Sequence, residues 1–368
     1  MIVLITHAMY AFQEYHRPPI NPLSADFWSS QFSIMKYTPL HIFASGPAAI
    51  LLFFVLSGYM LVLALDSADG NYRAFVTRRL ARLYPPLIVA TLLAALLYTL
   101  SDKSEVSLAS DWFNTALWTH DISPALLVGH LLLLDTPELN SVNVVVWTLA
   151  HELRIILVFP MIVWALRRDT RLTLVGSAAA AVAAQLLSLT TPPEIDSWLM
   201  TIHYAWLFAA GAAVAIHEER VRSFVAGIGP RAYLAAWGVT LMLIALPIAN
   251  WSTIYYGGPA GVAMLILCNQ SLVAQRFLTV RPQLFFGSIF YSLYLIHLPV
   301  MLAAVHGLGG MVPLPTLLLA SGVISIGLAW AGHRFIERPA QRWGRRLSAR
   351  PAAMTLTRSA SAMPKAAR

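Results

Sequence analysis

The chain has 368 residues, of which 58% are hydrophobic and only 11% charged, with a formal net charge of +8. A mean hydropathy of +0.66 excludes an ordinary water-soluble domain, whose residues are about half apolar and a quarter charged. The basic excess therefore points to a bilayer rather than to nucleic acid, because where it sits among apolar segments matters more than its sum.

A helix crosses the hydrocarbon core with about 20 apolar residues. Segments of that character fall near 1–13, 42–65, 80–100, 141–166, 170–190, 198–217, 231–249, 254–274, 284–306 and 314–336. They predict an all-α integral membrane bundle of about ten transmembrane helices, forming one polytopic domain over 1–347. The first segment, MIVLITHAMYAF, reaches the polar Gln13 and Glu14 too soon to cross, and it lacks the basic start and cleavage site of a signal peptide. Either neighbouring helices complete it or residues upstream of Met1 do, and the second is the favoured expectation. Long external loops are expected at 14–41, with Phe27, Trp28 and Tyr37, and at 101–140, where ALLVGHLLLLD reads as a re-entrant or interfacial helix. No internal repeat of a transporter kind stands out. The basic stretch 348–368, rich in small residues, reads as a disordered cytoplasmic tail.

Arginines cluster in alternate connections: Arg73, Arg78, Arg79 and Arg82, then Arg167, Arg168 and Arg171, then Arg220, Arg222 and Arg231, then Arg276 and Arg281. The connections between them hold Arg17, Lys36 and Lys103. By the positive-inside rule both termini and the arginine-rich connections are expected to be cytoplasmic. The lone Cys268 excludes an internal disulfide.

Against this apolar background a few polar residues stand out. The segment VVVWTLAHELRIILVFP (144–160) carries His151, Glu152 and Arg154. An ionised side chain at mid-helix costs about 2.5–3.5 kcal/mol on insertion scales, so such groups face protein or water and mark substrate paths or reaction centres. At about 100° per residue, Trp147, Thr148, His151, Glu152 and Arg154 occupy an arc of roughly 160°, leaving the other side for lipid. Arg154 could pair with Glu152 to lock helices together. HELRI is no zinc signature, since Ile155 stands where HExxH needs histidine.

His7 shares a face with Thr6 and Tyr10, and His297 shares one with Tyr294. Three histidines and a glutamate at similar depth are expected to form one proton-handling site. Arg78 and Arg82 lie four apart with Arg79 beside them, suited either to phosphates or to topology alone. Pro85 and Pro86 are expected to open the third span, and Glu337 to pair with a basic neighbour. No ligand cluster suggests a metal or a tightly bound redox cofactor.

In order, the blocks GPAAILLFFVLSGYM (46–60), FVTRRLARLYPP (75–86), VWTLAHELRIILVFP (146–160), FGSIFYSLYLIHLP (286–299) and HRFIERP (333–339), with His7 ahead of them, resemble the acyltransferase-3 family of integral-membrane acyltransferases. The resemblance covers nearly the whole chain outside the tail. It implies transfer of an acyl group, usually acetyl, from cytoplasmic acyl-CoA to a hydroxyl of an envelope glycan: lipopolysaccharide, peptidoglycan, capsule or exopolysaccharide. By the same resemblance His7 matches the catalytic histidine of the first helix, Glu152 the acidic residue of the tryptophan motif, and Arg78, Arg79 and Arg82 the basic motif, expected to hold the donor phosphates. His151 and His297 join the catalytic candidates by depth. The family usually carries an arginine about three helical turns before the first-helix histidine, a position that would precede Met1 here. A proton-coupled secondary transporter using the same histidines and glutamate is the alternative.

Overall fold

The computed structural model describes residues 1–17, 24–101, 106–107, 109–115, 118, 121–134, 142–246 and 253–348. The expected tail beyond Ser348 lies outside them, as does part of each expected external loop. Among the described residues the chain is helical, with no strand beyond an isolated bridge between Gly309 and Val312.

In chain order the helices are α1 (Ile2–Tyr10), α2 (Gln13–His16), α3 (Ala25–Ser29), α4 (Gln31–Tyr37), α5 (Gly46–Asp66), α6 (Tyr72–Leu100), α7 (Asp111–Thr115), α8 (Pro124–Leu131) and α9 (Trp147–Arg168). They continue with α10 (Thr170–Ser188), α11 (Pro193–Ile216), α12 (Glu218–Ala226), α13 (Pro230–Ala245), α14 (Thr253–Gln270), α15 (Leu272–Leu278), α16 (Arg281–Leu308) and α17 (Leu314–Gly332). A π-helical turn, His333–Glu337, joins α17 to α18 (Arg338–Ser348).

Each expected apolar segment coincides with a helix, but not each is a span by itself. Among the described residues, seven stretches are long and apolar enough to cross alone: Gly46–Asp66, Tyr72–Leu100, Val144–Arg168, Thr170–Ser188, Ile195–Ile216, Arg281–Leu308 and Leu314–Ser348. Two more qualify only as bent pairs, α12 with α13 at 119° and α14 with α15 at 93°, each a broken span or a re-entrant loop. The nine residues of α1 extend about 14 Å, half a bilayer core. ALLVGHLLLLD contributes to the short helix α8.

The third segment departs from expectation. α6 starts at Tyr72, where the Asn71 side chain accepts from the Ala74 N–H at 3.2 Å. Arg78, Arg79 and Arg82 therefore sit on the helix itself, and Pro85 and Pro86 fall in its interior rather than its first turn. The polar start stays helical because α18 packs on it: a Cβ at Gly344 would run into that of Ala81. The two prolines leave the Ala81 and Arg82 carbonyls without their usual helical donors.

Close helix crossings set the frame. A Cβ on Gly58 of α5 would fall on the Phe208 carbonyl, and one on Gly211 of α11 on the Val55 carbonyl, so these helices touch backbone to backbone. Phe54, Phe208, Leu149, Ile156 and Leu295 fill the core around them. α16 runs through the middle, buried without a break from Tyr291 to Leu302, as a helix apolar on all sides should be. Pro299 deprives the Leu295 carbonyl of its helical donor, and Asn143 Nδ2 donates to that oxygen at 2.8 Å.

Candidate active site

The site begins with what holds α1. Thr6 is buried, and its hydroxyl lies 2.8 Å from the Ala44 carbonyl and 2.9 Å from that of Ile2. Gly46, the first residue of α5, leaves room for it, since a Cβ there would meet Thr6 at 2.9 Å. At the other end of α1, Ser110 donates through its hydroxyl to the Tyr10 carbonyl and through its N–H to that of Ala11. Asp111 N donates to Gln13 Oε1 at 3.1 Å. These bonds clamp α7 against α1.

Between the clamps lies His7. Its Nδ1 is 2.9 Å from Nε2 of His297 on α16. The ring centres are 5.1 Å apart and the planes differ by 8°, so the rings meet edge to edge in nearly one plane, the alignment of a direct N–H···N bond. Trp112 of α7 lies near-parallel to His7 at 5.9 Å, and the Tyr10 ring at 6.2 Å. His7 is half-buried, whereas His297 is 1% exposed. Nδ1 of His297 is 3.0 Å from the Leu293 carbonyl, one turn earlier in α16.

α9 joins this centre through Tyr294. The Tyr294 and Thr148 hydroxyls are 2.9 Å apart, and both lie 3.0 Å from the Val145 carbonyl. One turn further along α9 comes Glu152, buried and making no hydrogen bond to any described residue. The positive charges acting on it are those of Arg79 and Arg82. Tyr291 ties α16 to α6 by donating to the Leu83 carbonyl at 2.8 Å.

The three arginines are not equivalent. Arg78 is committed to Ser348 Oγ at 2.7 Å and the Ser67 carbonyl at 2.9 Å, which fastens α18 and the end of α5 to α6. Arg79 is buried and donates to the Met60 carbonyl at 3.1 Å. Arg82, half-buried, makes no hydrogen bond or ion pair with a described residue. Nearby, Glu337 accepts from Ser292 at 3.1 Å and Gln341 at 3.0 Å, and its expected basic neighbour is His333 at 3.2 Å.

His151 does not join the other two histidines, and Arg154 does not pair with Glu152. His151 Nδ1 bonds the Thr201 hydroxyl at 2.9 Å, and its ring packs on Trp147 and Tyr204. Arg154 donates to Ser197 Oγ at 2.7 Å, the Ser197 carbonyl at 2.9 Å, Thr201 Oγ1 at 3.0 Å and the Leu134 carbonyl at 3.0 Å, with its guanidinium 4.1 Å over the Trp198 ring. The reason is angular. An arc of roughly 160° is wide enough to meet two neighbours, so Thr148 and Glu152 at one edge face α16 and α6, while Arg154 at the other faces α11.

Sequence reasoning missed Trp112, the Thr148–Tyr294 tie and the Asn143 cap on Leu295. Pro299 signals the last, because a proline in mid-helix always frees a carbonyl. Nothing in the local sequence marks Trp112, whose place depends on the Ser110 bonds to α1.

Comparison with known proteins agrees with this architecture. A Bacillus subtilis (strain 168) protein named "Putative peptidoglycan O-acetyltransferase YrhL" is 22% identical over 375 aligned positions, covering 91% of this chain and 57% of that protein. The chain thus spans a little over half the length of this relative. No solved structure matches the present chain. A family model described as an acyltransferase domain matches residues 1–334, from His7 through the HR of the last motif, and the chain accordingly belongs to the acyltransferase-3 family of multi-pass membrane acyltransferases.

Proposed function

We propose that the chain is an O-acetyltransferase that moves an acetyl group from acyl-CoA to a hydroxyl of a cell-envelope glycan. The distribution of arginines supports an orientation with the Arg78–Arg82 end of the bundle and both termini on the cytoplasmic side, where acyl-CoA is made, and the bacterial relative favours an inner membrane. Arg82, uncommitted and half-buried, meets the donor's phosphates. Arg78 and Arg79 hold the helix that presents it, and Glu152 supplies the counter-charge a buried arginine needs before the anionic donor arrives. The pantetheine arm then runs along α16 to the histidines.

The observation that carries this reading is the His7–His297 pair: a half-exposed imidazole bonded at one nitrogen to a fully buried one. His7 takes the proton of the acceptor hydroxyl while its oxygen attacks the thioester carbonyl. The C–S bond breaks, the acetyl ester forms, and the proton passes from His7 to the departing thiolate. The aromatic wall of Trp112 and Tyr10 beside His7 suits a sugar ring. The relative's printed name favours peptidoglycan among the acceptors, with lipopolysaccharide or exopolysaccharide as the other candidates.

The test is reconstitution in vesicles with radiolabelled acetyl-CoA on one side and isolated envelope glycans on the other. Label in the glycan with wild type and none with His7→Ala is the expected result. Glycan or proton movement without acyl transfer would return the proton-coupled transporter.

A further inference from the structure

The protons of the His7–His297 pair can be placed one at a time. A carbonyl only accepts, so Nδ1 of His297, 3.0 Å from the Leu293 oxygen, carries a hydrogen. A neutral imidazole has one N–H, which leaves Nε2 of His297 as a lone pair. That lone pair faces His7 Nδ1 at 2.9 Å, and the bond exists only if His7 Nδ1 is the donor. His7 Nε2 is then the unprotonated nitrogen. It bonds no described residue, and His7 is the more exposed ring of the two.

The opposite assignment fails on local grounds. A hydrogen on His297 Nε2 would have to be a second one, making an imidazolium at a position 1% exposed with no carboxylate bonded to it.

We infer that His297 is a positioning residue: anchored by the Leu293 carbonyl, it fixes His7 in the Nδ1–H tautomer and so reserves His7 Nε2 as the base. The relay Leu293 C=O, His297, His7 plays the part that a carboxylate plays behind the histidine of a hydrolase triad, with a backbone oxygen as the terminal acceptor. When His7 gains the acceptor's proton at Nε2, its Nδ1–H bond to His297 becomes charge-assisted and steadies the imidazolium until the proton leaves with the thiolate. Trp112 and Tyr10 flank the His7 ring. The kinetic consequence rests on the proposed acetyl transfer; the tautomer does not.

Two measurements on the full chain in nanodiscs test it. The first is the ring ¹⁵N spectrum of histidine-labelled protein, with the His7 signals assigned from their loss in His7→Gln. Hydrogen on Nδ1 and a bare Nε2 are expected; hydrogen on Nε2 in the wild type overturns the relay whatever the enzyme does. The second compares His297→Leu, which removes the acceptor, with His297→Gln, whose amide oxygen lies near the position of Nε2. Leucine should lower kcat about 10³-fold with the KM for acetyl-CoA little changed, and glutamine should recover most of that loss along with the Nδ1–H tautomer. Glutamine no better than leucine, with both variants folded and wild type active, overturns the relay. A wild type with the expected tautomer but no acetyl transfer would leave the relay standing and remove the proposed function instead.

Discussion

α9 carries two polar clusters on one arc, and they have opposite characters. On the edge facing α11, His151 and Arg154 are tied to Thr201, Ser197 and Leu134, and the guanidinium lies on Trp198. On the edge facing α16 and α6, Glu152 has charges near it but no hydrogen bond from a described residue, and Arg82 beyond it is likewise uncommitted. The insertion cost of a buried polar group applies to both. A cluster that answers this cost internally clamps helices; one that does not is waiting for a ligand. Burial alone would have ranked His151 with His297, and hydrogen bonding separates them.

The sharpest way to break this comparison is to truncate the same residue type in each cluster. His7→Ala is expected to reduce acetyl transfer by about 10³-fold or more, whereas His151→Ala should stay within about tenfold of wild type in the folded fraction. Radiolabel in the glycan measures both. Equal losses would mean that the two clusters act as one site.

The arginines extend the contrast to donor binding. Arg82→Ala is expected to raise the KM for acetyl-CoA by about 10- to 100-fold with little change in apparent Tm, the loss of one or two charge-assisted bonds to phosphate. Arg78→Ala should do the reverse, because its bonds go to Ser348 and Ser67. Steady-state kinetics beside thermal unfolding in detergent separates the two. Arg154→Met, on the clamped edge, should lower stability by about 2 kcal/mol and leave the KM for the donor unmoved. A rise in that KM would bring Arg154 into the donor's path.

The bundle was largely legible because a bilayer demands long apolar segments, and hydropathy finds them one by one. What escaped was set between segments. The early start of α6 depends on an Asn71 cap and on α18 covering a polar turn, so hydropathy alone placed the arginines in a loop. The polar residues themselves were visible, and His7 with His297 met as expected. Their division was not, because the helical wheel gives the width of an arc but not which neighbour meets each edge. Trp112 was invisible for a related reason: two bonds from Ser110 to α1 place it, and their partners are a hundred residues apart in sequence.

The finest test uses two threonines of similar setting. Thr201 lies in the clamped cluster, where its hydroxyl meets both His151 and Arg154. Thr148 lies on the other edge, where its hydroxyl meets Tyr294, three residues before His297. Replacing either with valine keeps the branched shape and removes the hydroxyl, at a cost of about 1 kcal/mol in stability. If the division holds, Thr201→Val shows that cost in thermal unfolding and keeps its kcat. Thr148→Val should show the same cost and also a kcat lowered by about threefold to tenfold, because the turn of α16 that aims His297 at His7 loses its direct bond to α9 and keeps only the one from Tyr294 to the Val145 carbonyl just before it. Matching kcat values for the two variants would mean that α16 holds the histidine pair without help from α9, and the site would shrink to α1, α7 and α16.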